Sequence, residues 1–435
     1  MPRSLIIQTL KNIPDLLALH ASNPKRYPHL LTSNAAVMRG DETNRLARYD
    51  ILFACPQQTI NSDGEDFLTQ LDNAWQVEKN QLEKTNSEKI KLPFTGGWFL
   101  YLGYELAQQI ESGLNLPPAE DGLPIAFATR FPAAIIIDSK TQQAYLICEK
   151  QFGDCVKLIE DDLSKETITS KYRQTFAIDA MHEDDENNYL QQLKKLQNYI
   201  VEGDVFQVNL SRCWKTQLKD NVSHASLFHQ LSRSNPGPFN ALMTMGDKAI
   251  ISSSPERLIK SENAYVQTRP IAGTRPRSTD NVLDKNLSNE LLAHPKERAE
   301  HIMLIDLERN DMGRVCEPGS IEVNELMVLE SYQHVHHIVS NVRGKLRKEI
   351  TPGQLIAAVF PGGTITGCPK IRCMEILAEL EQVGRGAYTG SLGYLNHDGS
   401  MDLNILIRSI TRNANKLQFR AGGGIVVDSN SHNEL

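Results

Sequence analysis

Along the chain, apolar positions shift between a period of two and a period near 3.6. Tyr189, Leu193, Leu196 and Ile200 recur at helical spacing and Gly203 follows them, which predicts a helix that stops at the glycine. VFQVNLSRCW reads as the strand after it. Apolar strands around the polar SKTQQ turn predict a hairpin at 133–149, and a second hairpin is predicted over 239–262, turning at Gly246-Asp247. Residues 286–309 and 366–382 read as long helices. MDLNILIRSITRN and KLQFRAGGGIVV close the chain as two strands and a glycine turn. Helices and hairpins without regular βαβ alternation predict an α+β fold with largely antiparallel sheets.

The polar stretch 77–92 suits an exposed helix or loop, and Gly96, Gly97 and Gly103 punctuate an aromatic stretch where backbones approach closely or bulge. The acidic lead-in AIDAMHEDDENNY divides a weakly marked N-terminal region, 1–177, from a motif-rich segment, 178–435. With 40% hydrophobic and 23% charged residues the chain sustains a sizeable core. Lys and Arg total 46 against 53 Asp and Glu, a net charge of −7, which argues against a nucleic-acid partner bound by bulk charge. No run approaches the ~20 apolar residues of a membrane span. The start lacks an apolar signal-peptide core, so no leader is expected. Seven scattered cysteines without a CxxC suggest reduced thiols in a cytoplasmic protein, with neither a disulfide framework nor a zinc site.

Several clusters hold side chains suited to chemistry. Glu297 and Glu300 stand three apart, on one face of a helix. They are either a solvated face or two carboxylates that a cation such as Mg²⁺ relieves of repulsion. PGGTITGCPK (361–370) offers backbone N–H groups and hydroxyls to an anion, or simply makes a tight turn; it is not a P-loop. RPIAGTRPR gathers Arg269, Arg275 and Arg277, forks for carboxylates or plain surface charge. His334, His336 and His337 lie on a predicted strand, where His336 and His337 must face opposite ways, so a three-His metal site is not expected. Glu256, after Ser254-Pro255, projects a carboxylate from a strand end.

Taken in order, IVEGDVFQVNLSR, SSSPERL, RPIAGTRPR, KERAEHIMLIDLERNDMGRV, HVHHIVSNVRGKL, FPGGTITGCPKIRCMEILAELE, YTGSLGY, MDLNILIRS and GGGIVVDS resemble the chorismate-utilising enzymes. The resemblance is dense over about 195–435 and loose before it, through GGWFLYLGYEL. It implies two packed antiparallel sheets surrounded by helices, the fold of anthranilate synthase component I, with the N-terminal region woven in. It implies Mg²⁺ held by Glu300, with Glu297 and Glu434 beside it. Arg408 and Tyr388 would hold the enolpyruvyl carboxylate of chorismate, helped by the Gly424 N–H. Thr364, Gly273 and Thr274 would line the ring. His337 would sit at the C4 hydroxyl, and Glu256 would protonate it.

Gln207 stands where water-using members carry Lys, so the resemblance implies ammonia as nucleophile, delivered by a separate glutaminase (glutamine amidotransferase) subunit. The members end with two glutamates after the DS motif. Here only Glu434 precedes the end, so the expectation is a C-terminal helix cut short. PGGTITG, TGSLGY and Thr32 favour amination at C4, the aminodeoxychorismate synthase reaction that leads towards 4-aminobenzoate and folate. Ala272, in place of a lysine found in several such enzymes, favours the anthranilate synthase reaction instead. A scaffold with a dead site is the third reading, opposed by the presence of Glu256, Glu300, His337 and Arg408 together.

Overall fold

The computed structural model describes residues 4–33, 48–62, 66–80, 91–165, 172, 175–432 and 434–435. Among these, the strands form two sheets, of twelve and ten strands, in which every pairing of strands is antiparallel. Both sheets draw on both ends of the sequence. His29–Thr32 lies between Tyr49–Ala54 and Phe239–Met245 in the larger sheet, and Gly97–Leu102 lies beside Ser391–Asn396 in the smaller.

The sheets pack face to face through a fully buried aromatic cluster. Phe53 of the larger sheet meets Phe99 and Phe131 of the smaller at ring-centroid distances of 5.3 and 5.4 Å, and Phe94 at 4.9 Å. Edge-to-face contacts of this kind add to the burial of each ring, itself about 1.5–3 kcal/mol. Helices cover the outer faces. Phe67–Lys79, Pro295–Gly313 and Pro352–Val359 pack on the smaller sheet; Leu16–Ser22, Gly153–Ser164 and His224–Ser234 pack on the larger. Glu186–Glu202 and Lys370–Glu381 share a further cluster with the strand Gln207–Gln217.

The predicted helix before Gly203 is present, and Gly203 closes it in a left-handed conformation at φ 84°. Four predictions are corrected. The helix expected at 286–309 is two, Asn281–Ala293 and Pro295–Gly313, because Pro295 opens the second with His294 as its cap. The helix expected from 366 starts at Lys370, after Pro369; the residues before it bridge to the strand Gln207–Gln217.

The hairpin expected through 262 ends at Ser254: Phe239–Met245 and Lys248–Ser254 stay in the larger sheet, and Arg257–Glu262 passes into the smaller. Likewise MDLNILIRSITRN is not one strand. Met401–Asn404 belongs to the smaller sheet and Ser409–Asn413 to the larger. The two crossovers, at 255–256 and 405–408, run together, with the Ile405 N–H donating to the Glu256 carbonyl at 3.0 Å. They carry Glu256 and Arg408 to the same junction between the sheets. Part of the polar stretch 77–92 lies outside the described residues; its start is the end of the helix Phe67–Lys79. No described helix is long and apolar enough to cross a membrane.

Candidate active site

Glu256 is 5% exposed, and burial drives its carboxyl pKa up to about 8. Thr364, on a one-turn helix Gly363–Ile365, donates its hydroxyl to Glu256 Oε1 at 2.8 Å. The positive charge of Arg408 pulls that pKa down and the negative charge of Glu308 pushes it up, both more weakly than burial. A carboxyl in this setting carries its proton at neutral pH and has one to give.

His337 lies on the strand Val335–Lys345, paired across from Thr274 of Ile271–Pro276. Its Nδ1 is 2.9 Å from the Thr274 hydroxyl, and its Nε2 is 3.4 Å from an Arg408 guanidinium nitrogen. Arginine only donates, so Nε2 accepts and the ring proton sits on Nδ1. Burial, then Arg408, holds the imidazole pKa down at about 4, so it is neutral. His336 points the other way, as strand alternation requires, to the carboxylate of Asp284 at 3.0 Å.

Arg408 adopts a left-handed backbone at φ 52°, which is rare for a long side chain and lets the chain turn between the sheets. Burial lowers its pKa. Gly273 also has a positive φ, 70°, and interrupts the register between Ala272 and Thr274. A Cβ there would come within 2.8 Å of the Glu297 carboxylate. The bulge therefore seats Thr274 against His337 while leaving room for Glu297.

Gln207 begins the strand Gln207–Gln217, opposite Gly424 and its neighbours in Lys416–Ile425. Its amide covers Gly424 so closely that a Cβ on that glycine would lie 2.1 Å from Nε2. Its Oε1 is buried and has no hydrogen-bond partner. Tyr388, buried, has its hydroxyl 3.5 Å from Asn209 Oδ1, on the same strand as Gln207, and its pKa rises to about 12 through burial.

Glu297 and Glu434 both lie within electrostatic reach of Glu300. Burial raises the Glu300 pKa, and the charges of Glu297 and Glu434 push in the same direction. Glu434 also approaches Gly423, whose added Cβ would lie 3.2 Å from its carboxylate. Among the described residues no three acidic, His or Cys side chains converge closely enough to hold a metal ion, and Glu297 is paired with Arg275 at 3.1 Å. The donor set nonetheless fits a hard divalent cation: oxygens only, with a repulsion that such an ion removes.

The arginines of RPIAGTRPR are occupied structurally. Arg269 pairs with Glu325 and Glu330, Arg275 with Glu290 and Glu297, and Arg277 with Asp284. His334 reaches the Ser234 carbonyl rather than the site. Thr32 meets the Asn240 amide at 3.4 Å in the larger sheet.

A model of the chorismate binding enzyme family matches residues 34–435. The chain belongs to that family. An anthranilate synthase component I-like protein of Synechocystis is 41% identical over 344 residues, 79% of this chain and 70% of that protein. Aminodeoxychorismate synthase component 1 of Salmonella typhimurium is 36% identical over 411 residues, 91% of this chain and 88% of the relative. The solved anthranilate synthase component I of Streptococcus pneumoniae superposes with a TM-score of 0.78 at 28% identity, covering 92% of this chain and 91% of that one.

Two features of this chorismate-binding enzyme escape the motif reading. Glu308, 5% exposed, bonds to the Thr268 side chain and to the backbone of Gly363, the residue before Thr364. Burial, then Asp311, raises its pKa to about 7. Its position two helical turns beyond Glu300 is the signal that would have placed it on the inner face. The second is Glu381, buried and held by Arg385 at 2.7 Å and Arg420 at 3.3 Å. Arg385 also donates to the Asn209 carbonyl at 2.6 Å and lies over the Tyr388 ring, so this network fixes both Gln207's strand and Tyr388. Arg385 is only four residues from Glu381, but Arg420 and Asn209 lie far off in sequence and nothing local marks them.

Proposed function

We propose that this chorismate-binding enzyme is an aminodeoxychorismate synthase component I, which replaces the C4 hydroxyl of chorismate with an amino group from ammonia. The observation that carries the ammonia reading is the buried, unpartnered Oε1 of Gln207. An orphaned acceptor takes a hydrogen bond from ammonia or water alike, but an amide cannot act as the base that water would need, and ammonia needs none.

Around it, Glu256 donates the proton that lets the C4 oxygen leave as water. Thr364 orients that carboxyl. His337, locked between Thr274 and Arg408 with its pKa held at about 4, is too weak a base to take the proton from Glu256. Arg408 and Tyr388 bind the enolpyruvyl carboxylate, with the Gly424 N–H beside them, while Gly273, Thr274 and Thr364 line the ring.

Glu297, Glu300 and Glu434 would hold Mg²⁺, which supplies charge neutralisation for the ring carboxylate and draws electrons from C2. A separate glutaminase subunit supplies ammonia, since most of the free base is protonated at neutral pH. The seven free thiols suit a reducing, cytoplasmic compartment.

Ala272, beside the Gly273 bulge, favours a second reading, an anthranilate synthase component I that aminates at C2. Without a tethered lysine the C4 route needs a diffusing nucleophile at C2 first, and tethering is worth at most ~7–11 kcal/mol. Incubation with chorismate, Mg²⁺ and an ammonium salt separates the two. The C4 product keeps its enolpyruvyl group until a lyase acts. Release of fluorescent 2-aminobenzoate and pyruvate by this chain alone would establish the C2 reaction instead.

A further inference from the structure

Away from the active site, three of the seven cysteines converge in the outer layer of the larger sheet. Cys55 follows the strand Tyr49–Ala54, Cys148 lies in Gln143–Glu149, and Cys155 is the third residue of the helix Gly153–Ser164. All three belong to one packed cluster. The Cys155 side chain lies within hydrogen-bond reach of both the Cys55 and the Cys148 thiols. Cys148 is fully buried and also contacts the carbonyls of Glu149 and Phe152, whereas Cys55 and Cys155 are each partly exposed.

Two features set Cys155 apart. It sits in the first turn of a twelve-residue helix, where its own backbone N–H faces its sulfur. Arg26, fastened to the same helix through Asp162 and the Leu158 carbonyl, adds positive charge. The charged and titratable groups facing the cluster are therefore Arg26, Asp162 and Glu149, together with the three thiols. Contact with the Cys148 and Cys55 thiols, and more weakly the charge of Arg26, lowers the Cys155 pKa against the opposing effect of burial. Cys55, its neighbour, is held in a left-handed backbone at φ 60°, an uncommon conformation for a residue with a side chain.

We propose that Cys155 is an oxidant-reactive cysteine that closes a reversible disulfide with Cys55 when a hydroperoxide reaches it. The Cys155 sulfur attacks one peroxide oxygen. The S–O bond forms as the O–O bond breaks, and the departing oxygen leaves as hydroxide and takes up the proton that Cys155 released, giving water. The Cys55 sulfur then attacks the sulfenic sulfur, gives its proton to the leaving hydroxyl, and releases a second water. Two thiols lose two electrons and one peroxide gains them. A dithiol reductant reverses the bond. Cys55 is the resolving partner because it is accessible and bonded to Cys155, while Cys148 is closed in the core.

The test uses the full chain with hydrogen peroxide, followed by trapping of remaining thiols and peptide mapping without reductant. The expected product links the Cys55 and Cys155 peptides and loses two titratable thiols, both recovered with dithiothreitol. Cys368 is also partly exposed, but burial raises its pKa, so it serves as an internal control. Cys155 should alkylate with iodoacetamide at neutral pH roughly tenfold faster than Cys368, since an ordinary thiol is only a few per cent ionised there. This rate comparison needs no variant. Cys55→Ser should leave a sulfenic acid at Cys155 that dimedone traps. Equal alkylation of Cys155 and Cys368, or peroxide products confined to other cysteines, would overturn the proposal.

Discussion

Glu308 binds the backbone of Gly363, the residue next to Thr364, and Thr364 in turn holds Glu256; the two carboxyls are also within electrostatic reach of one another. Burial keeps both protonated further into the neutral range than an exposed carboxyl, at about 8 for Glu256 and about 7 for Glu308. Removing one therefore changes the acidity of the other.

If Glu256 is the acid at the C4 oxygen, Glu256→Gln preserves the size of the side chain and removes the proton. Amination should fall by about 10²–10⁴ while chorismate affinity, measured by calorimetry, stays within a small factor. Turnover near that of the parent protein would remove Glu256 from this role.

In that role the same acid sets a basic limb in the pH profile. Activity that needs a protonated Glu256 is lost as pH rises through about 8. Glu308→Gln deletes a negative neighbour that raises the Glu256 pKa, so the limb should move to lower pH. An unmoved limb, with kcat at its optimum merely reduced, would assign Glu308 a packing role only.

Stability follows the same two groups. Their carboxyls ionise near 4.5 when unfolded but only at about 8 and about 7 when folded. Between those values the unfolded chain binds fewer protons, so the fold loses stability as pH rises. Glu308→Gln should therefore raise the melting temperature at pH 8 and lose most of that advantage at pH 5. A scan at both values decides it.

Glu300 lies beside two other carboxylates and has a raised pKa. Glu300→Ala should abolish the Mg²⁺ dependence of chorismate binding. Calorimetric titration with and without the ion reads this directly; a Mg²⁺ effect that survives the substitution places the ion elsewhere.

Gln207→Lys puts an amine into the buried space over Gly424. Burial lowers a lysine pKa, and the neutral amine is a base for water. Mass spectrometry of the products should then show a hydroxylated isomer of chorismate beside the aminated one. An exclusively aminated product would mean that residue 207 does not choose the nucleophile.

Sequence alone determined the features that depend on near neighbours. The spacing from Tyr189 to Ile200 and the glycine after it set a helix and its end, because side chains four apart share a face and only glycine adopts φ 84° without cost. Alternation placed His336 and His337 on opposite faces before any partner was known. The ordered motifs, each a run of contiguous residues, identified the family.

The tertiary structure alone decided what depends on distant partners. That Glu256 and Arg408 meet follows from two chain crossings between sheets, and no pattern of near neighbours shows that the strands on either side of each crossing belong to different sheets. That the arginines of RPIAGTRPR serve ion pairs rather than substrate follows from carboxylates up to 61 residues away. The proton on Glu256 and the convergence of Cys55, Cys148 and Cys155 have the same origin. Burial fixes the first, and the packing of the helix Gly153–Ser164 on the larger sheet fixes the second; both are properties of the assembled interior rather than of any segment of the chain.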